Sequence, residues 1–167
     1  GVETFFGRIT GRYRVLDALA TLGFDYPPRG EYFRGELEQF LLLARRNGID
    51  PLAVRGSYAG AMGLPQFMPR SYLSYAVDGD LDGRSDLWGS VDDVMSSVAN
   101  YLAKHGWQAG APIVLPATLV DPDAEGLVVG SLTTNRSVGE LRRLGLMFDP
   151  ALGDDVPALL VGVRGTD

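Results

Sequence analysis

Gly56-Ser57-Tyr58-Ala59-Gly60-Ala61-Met62-Gly63-Leu64-Pro65-Gln66-Phe67-Met68-Pro69-Arg70-Ser71-Tyr72 is the run that decides how this chain is read. Between Gly56 and Gly63, three glycines and two alanines fall in eight residues. Such density calls for close backbone approach or for dihedrals that larger residues avoid. Gln66, Phe67 and Tyr72 follow at once. Small residues beside an amide and aromatics suit a sugar cleft, where rings stack and hydroxyls meet amides. They equally suit a tight crossing of two helices, and spacing does not choose between these.

Downstream, residues 78–92 read D-G-D-L-D-G-R-S-D-L-W-G-S-V-D. Asp78, Asp80, Asp82, Gly83 and Asp86 match positions 1, 3, 5, 6 and 9 of an EF-hand calcium loop, with the carbonyl of Arg84 at position 7. Calcium takes six to eight hard oxygens, and alternating carboxylates can converge on one centre. Gly89 stands where a bidentate Glu is usual, and the next carboxylate is Asp92. A loop lengthened by three residues closes on Asp92. Calcium bound here ties two helices together and plays no part in catalysis. An acidic solvent-exposed turn is the alternative, because D-G pairs form turns readily.

The flanks read as helices joined by ordered loops. Val15, Leu16, Leu19 and Leu22 recur at helical spacing, with Gly23 as a stop. Glu31 to Asn47 has an apolar face of Phe33, Leu37, Phe40, Leu41 and Ala44, early acids Glu31 and Glu36, late bases Arg45 and Arg46, and Gly48 as its end. Asp50-Pro51 predicts a short helix, as does Pro69 to Ala76. Ser90 with Asp93 predicts a capping box for a helix carried by Val94, Val98 and Leu102 to Gly106. After Trp107 the texture changes. Ala109 to Pro112 is a linker, and Ile113 to Leu115, Gly126 to Val129 and Ala158 to Val163 are candidate strands. Ser137 and Glu140 cap a brief helix ending at Gly145. The expected architecture is a mainly α core over residues 1–108 and a small α/β appendage over 109–167.

Composition narrows the function. Fifteen basic and twenty-one acidic residues leave a net charge of −6, so nucleic acid is not the expected partner. Without cysteine there is no disulfide, thiolate nucleophile or cysteine zinc site. His105 is the one histidine, and no G-x-S-x-G elbow accompanies it. No apolar run reaches membrane-spanning length. The chain opens on Gly1-Val2-Glu3-Thr4 without an initiator methionine, and the expectation is a mature or trimmed chain.

The string G-S-Y-A-G-A-M-G-x-x-Q-F-M-P-x-S-Y, followed by A-V-D and the aspartate loop, resembles the B-type lytic murein transglycosylases. The resemblance extends to G-V-E-T at Gly1–Thr4, L-D-A-L-A-T-L at Leu16–Leu22, E-Y-F at Glu31–Phe33, S-V-A-N-Y at Ser97–Tyr101 and H-G-W at His105–Trp107. It covers about the first two thirds of the chain and is loose beyond Pro116. It implies a lysozyme-like helical (α+β) core. It also implies cleavage of the β-1,4 bond between N-acetylmuramic acid (MurNAc) and N-acetylglucosamine (GlcNAc), leaving a 1,6-anhydroMurNAc end. The family's acid/base glutamate falls on Glu3. Its cleft residues fall on Ser57, Gln66, Phe67 and Tyr101, and on Arg29 and Tyr32, which contact sugar or peptide. The family often carries two arginines before E-Y-F, where this chain has Pro28 and Arg29. The family's lengthened calcium loop closes on the late aspartate, here Asp92. The implied setting is the periplasm, against peptidoglycan glycan strands, with cell-wall synthases as partners by analogy. Any hold on the outer membrane is through a lipid anchor not present in this chain. Helices before G-V-E-T and an aromatic and asparagine segment after residue 167 are expected outside this stretch. A calcium-stabilised module that binds glycan without cutting it, and a hydrolytic muramidase, are the alternatives.

Overall fold

The computed structural model describes residues 4–120, 136–148 and 151–162. The chain forms two compact units, Gly1–Gln108 and Ala109–Asp167. It is helical with small two-stranded sheets.

The first unit starts with β1 (Tyr13–Arg14), which runs straight into α1 (Val15–Asp25). A 3-10 turn (Pro27–Arg29) leads into α2 (Gly30–Asn47), followed by β2 (Arg55–Gly56), α3 (Pro69–Tyr75) and α4 (Val91–Lys104). β1 pairs antiparallel with β2, Tyr13 opposite Gly56. The core gathers Val15 and Leu19 from α1, Phe33, Phe40 and Leu43 from α2, Tyr72 from α3, and Val54, Met62, Phe67 and Leu87 from the segments between helices.

α2 ends where glycine allows it. Gly48 is left-handed at φ 63°, and the N–H of Ile49 returns 2.9 Å to the carbonyl of Ala44. Gly23, expected to stop α1, lies inside it and is buried. Its job is close approach: a Cβ there would sit 3.1 Å from Arg34 Cγ, and Arg34 Nη1 donates to the Gly23 carbonyl at 2.7 Å. The helix expected from Asp50-Pro51 is a single turn, with Asp50 Oδ1 accepting from Leu52 N at 2.9 Å. Its donors are satisfied locally and no apolar stripe follows to extend it. The buried face of α2 also differs from expectation. Leu41 is half exposed, while Glu36 is 1% exposed inside the core.

The second unit has β3 (Thr118–Leu119) paired with β5 (Leu146–Met147), and β4 (Arg136–Ser137) paired with β6 (Pro157–Ala158). α5 (Val138–Arg143) begins with the expected reciprocal box: Ser137 Oγ accepts from Glu140 N, and a Glu140 carboxylate oxygen accepts from Ser137 N. Leu141 and Leu146 are buried, with Phe148, Ala158 and Leu160 against them. Ile113 to Leu115 forms no strand, and Ile113 and Val114 are exposed. Pro112 and Pro116 bracket that run, and proline cannot donate to a ladder. Of the strand expected over Ala158 to Val163, Ala158 pairs with Arg136, and among the described residues 159–162 join no ladder; Val163 lies outside the described residues. Gly126 to Val129 lies outside the described residues.

Candidate active site and aspartate loop

The glycine-rich run is neither a helix nor a helix crossing. It is a folded hairpin whose backbone presses on its neighbours. Ser57 N donates to the Ala61 carbonyl at 2.9 Å, and Met62 and Phe67 exchange N–H···O bonds of 2.8 and 3.0 Å. A Cβ at Gly63 (φ 68°) would stand 2.5 Å from the Leu87 carbonyl oxygen, so only glycine fits. Met62 at the centre is fully buried.

Ser57 and Gln66 are the polar residues of this hairpin. Ser57 Oγ accepts from Ala59 N at 3.3 Å and from Ala61 N at 3.0 Å. Its hydroxyl proton is left for another partner. Gln66 adopts φ 54°, uncommon for a residue with a Cβ. Its side-chain Nε2 donates to the carbonyls of Gly63 (2.9 Å) and Thr10 (3.0 Å). Both amide protons thus go to backbone, and Oε1 remains as an acceptor.

Thr10 belongs to the segment that follows Glu3. Glu3 itself lies outside the described residues. Its neighbour Thr4 is 2% exposed. Thr4 Oγ1 donates to the Leu64 carbonyl at 3.2 Å and accepts from Gly7 N at 3.0 Å. The N–H of Ile9 donates to the Thr4 carbonyl at 3.0 Å, closing a tight turn in which Phe5, Phe6 and Gly7 are all left-handed. Phe5 and Phe6 of this turn are exposed, whereas Met62 and Phe67 of the hairpin are buried.

Phe67 was expected in the cleft, but at 8% exposure it is mainly core, its ring 5.7 Å from that of Tyr101. Tyr101 is partly exposed, with His105 stacked on it at 4.1 Å and Tyr75 edge-on at 5.1 Å. His105 Nδ1 lies 2.7 Å from the Tyr101 carbonyl. Arg29 and Tyr32 sit together elsewhere on this unit, the guanidinium 4.7 Å over the Tyr32 ring and 5.3 Å from that of Phe33. Tyr32 lines an open groove of about 640 Å³ with Glu31, Gly35, Glu36 and Arg70. Burial raises its hydroxyl pKa and Glu36 adds to this, against the pull of Arg29 and Arg70.

Glu36 gave no sequence signal beyond an early helical acid. Its Oε2 accepts the backbone N–H of Arg70 at 3.0 Å and its Oε1 accepts Arg70 Nε at 3.3 Å. Arg70 stands at the start of α3, whose N-cap Met68 offers no side-chain bond. A carboxylate on α2 therefore caps α3 from outside.

The aspartate loop turns as its spacing predicts, with Gly83 left-handed at φ 93°. Asp78 accepts from Asp82 N (3.1 Å) and Gly83 N (2.8 Å), and Asp82 from Arg84 N (2.9 Å). Among the described residues, one carboxylate oxygen from each of Asp78, Asp80 and Asp93 lies within 4.8 Å of the others. Asp92 and Asp82 are exposed and outside this group. Asp93 was expected to complete a capping box. Only half of that box forms: Ser90 Oγ accepts from Asp93 N at 3.3 Å and instead donates to Asp80 Oδ2 at 2.7 Å. The Asp93 carboxylate turns back to the loop, accepting from Gly79 N (2.7 Å), Asp80 N (3.3 Å) and Asp86 N (2.6 Å). Burial alone would raise its pKa, but these amides outweigh burial and hold it below the usual carboxylate value. Tyr72 reaches the same loop, its hydroxyl donating to the Ser85 carbonyl.

The transglycosylase SLT domain family matches residues 1–160. The chain is 50% identical over 161 residues to membrane-bound lytic murein transglycosylase B of Escherichia coli K12, covering 96% of this chain and 43% of that one. It resembles the crystal structure of the soluble lytic transglycosylase SltB1 from Pseudomonas aeruginosa, at 55% identity and TM-score 0.85, over 93% of this chain and 51% of that chain. The Escherichia coli lytic transglycosylase Slt35, solved in complex with calcium, is 48% identical with TM-score 0.81 over 96% of this chain and 50% of its own. This chain thus spans about half the length of the relatives it matches. Its helical fold with small sheets is consistent with the lysozyme-like fold implied by the motifs. The chain belongs to the transglycosylase SLT domain family and, within it, to the B-type lytic murein transglycosylases.

Proposed function

We propose that this chain carries the lytic transglycosylase reaction on peptidoglycan, with Glu3 as the single acid/base. Glu3 protonates the glycosidic oxygen between MurNAc C1 and GlcNAc C4, and GlcNAc leaves as an alcohol. The N-acetyl group of MurNAc assists at C1. The Glu3 carboxylate then takes the C6 hydroxyl proton while O6 bonds to C1. One C–O bond breaks, one forms, and no water is consumed. Glycosidases commonly need two carboxyl groups. A tethered C6 hydroxyl replaces the second by making the attack intramolecular. Ser57 and Gln66 Oε1 meet the sugar at the hairpin, Tyr101 extends the cleft, and Arg29 with Tyr32 takes sugar or peptide. Phe67 contributes by holding Tyr101.

One observation carries this reading. The segment leaving Glu3 is bonded at Thr4 and Thr10 to the hairpin that bears Ser57 and Gln66. Family membership makes lytic cleavage the first expectation for such an arrangement.

The aspartate loop is proposed to hold structural Ca2+. Carboxylate oxygens of Asp78 and Asp80 converge beside Asp93 and would suit a hard cation, and the relative Slt35 was solved in complex with calcium. Asp78, Asp80, Asp82, the Arg84 carbonyl and Asp92 would hold it. Asp93 organises the loop, since its oxygens are already engaged by amides. The ion would offset carboxylate repulsion and tie α3 to α4.

The periplasm is the proposed location, in keeping with the relative's name. Among the described residues no helix is long and apolar enough to cross a membrane.

Digestion of purified peptidoglycan followed by mass spectrometry tests the function. Anhydro ends, lighter by one water than reducing ends, are expected. Glu3→Gln should lower their release by about 10²-fold or more. Reducing ends would instead mean a muramidase, and binding without cleavage would mean a glycan-binding module.

A further inference from the structure

We infer that Thr4, itself bonded to the hairpin, is a positioning residue for the proposed acid/base that precedes it in sequence, Glu3. This rests on the proposed role of Glu3. Three observations converge on Thr4. It is 2% exposed. Its hydroxyl is used twice, donating to the Leu64 carbonyl at 3.2 Å and accepting from Gly7 N at 3.0 Å. Its carbonyl accepts from Ile9 N at 3.0 Å.

The hydroxyl's target is itself fixed. Leu64 N donates to the Leu87 carbonyl at 2.9 Å, and Gly63 beside it has no room for a Cβ. The same short segment is held at its other end by Gln66 Nε2 on the Thr10 carbonyl. Threonine supplies what the position needs: a donor for Leu64, an acceptor for Gly7, and a methyl that limits χ1. Valine keeps the shape and loses both bonds. Serine keeps both bonds and loses the methyl. Adjacent Cα atoms are about 3.8 Å apart, so holding Thr4 confines where the Glu3 side chain can start. A displacement of about 1 Å at a catalytic group can cost on the order of 10²-fold in rate.

The test measures kcat and KM for anhydro-end release from soluble glycan strands, using the full chain and its Thr4→Val, Thr4→Ser and Glu3→Gln variants. Thr4→Val should lower kcat by about 10- to 100-fold with KM within about threefold, while Thr4→Ser stays within about threefold of the parent. Circular dichroism of Thr4→Val should match the parent. Unchanged kcat in Thr4→Val would overturn the inference, as would a loss confined to KM or a Thr4→Ser variant as impaired as Thr4→Val. Loss of fold in Thr4→Val would overturn it too, by making Thr4 a determinant of folding. An active Glu3→Gln variant, or a parent without turnover, would sink the underlying reading of Glu3. An inactive Glu3→Gln beside a fully active Thr4→Val would sink only the clamp.

Discussion

Replacing Glu36 by alanine removes a side chain that caps α3, at a cost that follows from its contacts. The Arg70 N–H loses its acceptor at the start of a helix whose own N-cap makes no side-chain bond. A stranded backbone donor costs about 1–3 kcal/mol, and a lost cap about 1 kcal/mol, which is the same bond counted from the helix side. The bond to Arg70 Nε adds little, because the Arg70 side chain is 64% exposed and water replaces the carboxylate. One buried methylene, Cγ, is lost because alanine keeps Cβ, and it contributes about 0.8 kcal/mol at most. The expected total is about 3 kcal/mol. Glu36→Gln keeps the methylenes and one acceptor oxygen, so it should cost about 1 kcal/mol. Urea unfolding followed by tryptophan fluorescence measures both, since Trp88 lies 5.7 Å from Tyr72 of α3. With a slope of about 1.5 kcal/mol/M, Glu36→Ala should lower the midpoint by about 2 M and Glu36→Gln by about 0.7 M. An alanine variant within about 0.3 M of the parent would refute the capping argument. Equal losses in the two variants would place the energy in the charge.

The aspartates at the head of α4 should separate by calorimetric calcium titration of chelator-treated protein. Asp92→Asn is expected to weaken binding by about 10- to 100-fold and leave ion-free stability unchanged. Asp93→Asn should destabilise the ion-free protein as well, because its carboxylate holds three loop amides. A parent that binds no calcium would end the metal proposal. Tyr72 gives an alkaline signature. Burial, followed by Asp86 and Asp93, pushes its hydroxyl up to about 12. The unfolded chain then releases this proton first. Stability from Tyr72 is therefore intact below pH about 10 and lost as pH rises towards about 12. Urea midpoints across that range should fall more steeply for the parent than for Tyr72→Phe, and parallel curves would contradict the assignment.

Sequence legibility followed the local character of each signal. The end of α2 at Gly48, the left-handed turn at Gly83 and the Ser137–Glu140 box are each decided by a few neighbouring residues. All three could be read directly. Gly23 was misleading because glycine marks both helix stops and close crossings, and only the position of Arg34 distinguishes them. Glu36 was hidden because a carboxylate on a helix looks alike whether it faces water or the N–H of a residue thirty-four positions away. Phe67 shows the converse, an aromatic beside polar cleft residues that the hairpin turns into the core. The loop role of Asp93 was hidden because only the pitch of α4, about 100° per residue, decides that it and not its neighbour turns to the loop amides. Glu3 had no local signal, and its case rested on the order of motifs downstream.

What the structure changes most is the meaning of the polar residues in the hairpin. Ser57 and Gln66 were expected as groups that meet the substrate. Ser57 Oγ holds two amides of its own turn, and Gln66 Nε2 holds two carbonyls from two segments. A side chain so committed cannot swing to follow a ligand. What it can offer is a fixed remainder, the hydroxyl proton of Ser57 and the Oε1 of Gln66. That suits a reaction with one carboxyl group. In the proposed reaction the acid and the C6 hydroxyl must meet in a narrow geometry, without a second carboxyl group taking part. Rigidity is bought at Gln66 with a left-handed backbone, and its two side-chain bonds offset that strain. The demand for a fixed hairpin also explains why glycine is forced at Gly63, where the backbone packs directly on Leu87 at the edge of the aspartate loop. Through Leu87 and the Tyr72 bond to Ser85, the loop and the hairpin share supports. A cation held there would stiffen the hairpin through these supports.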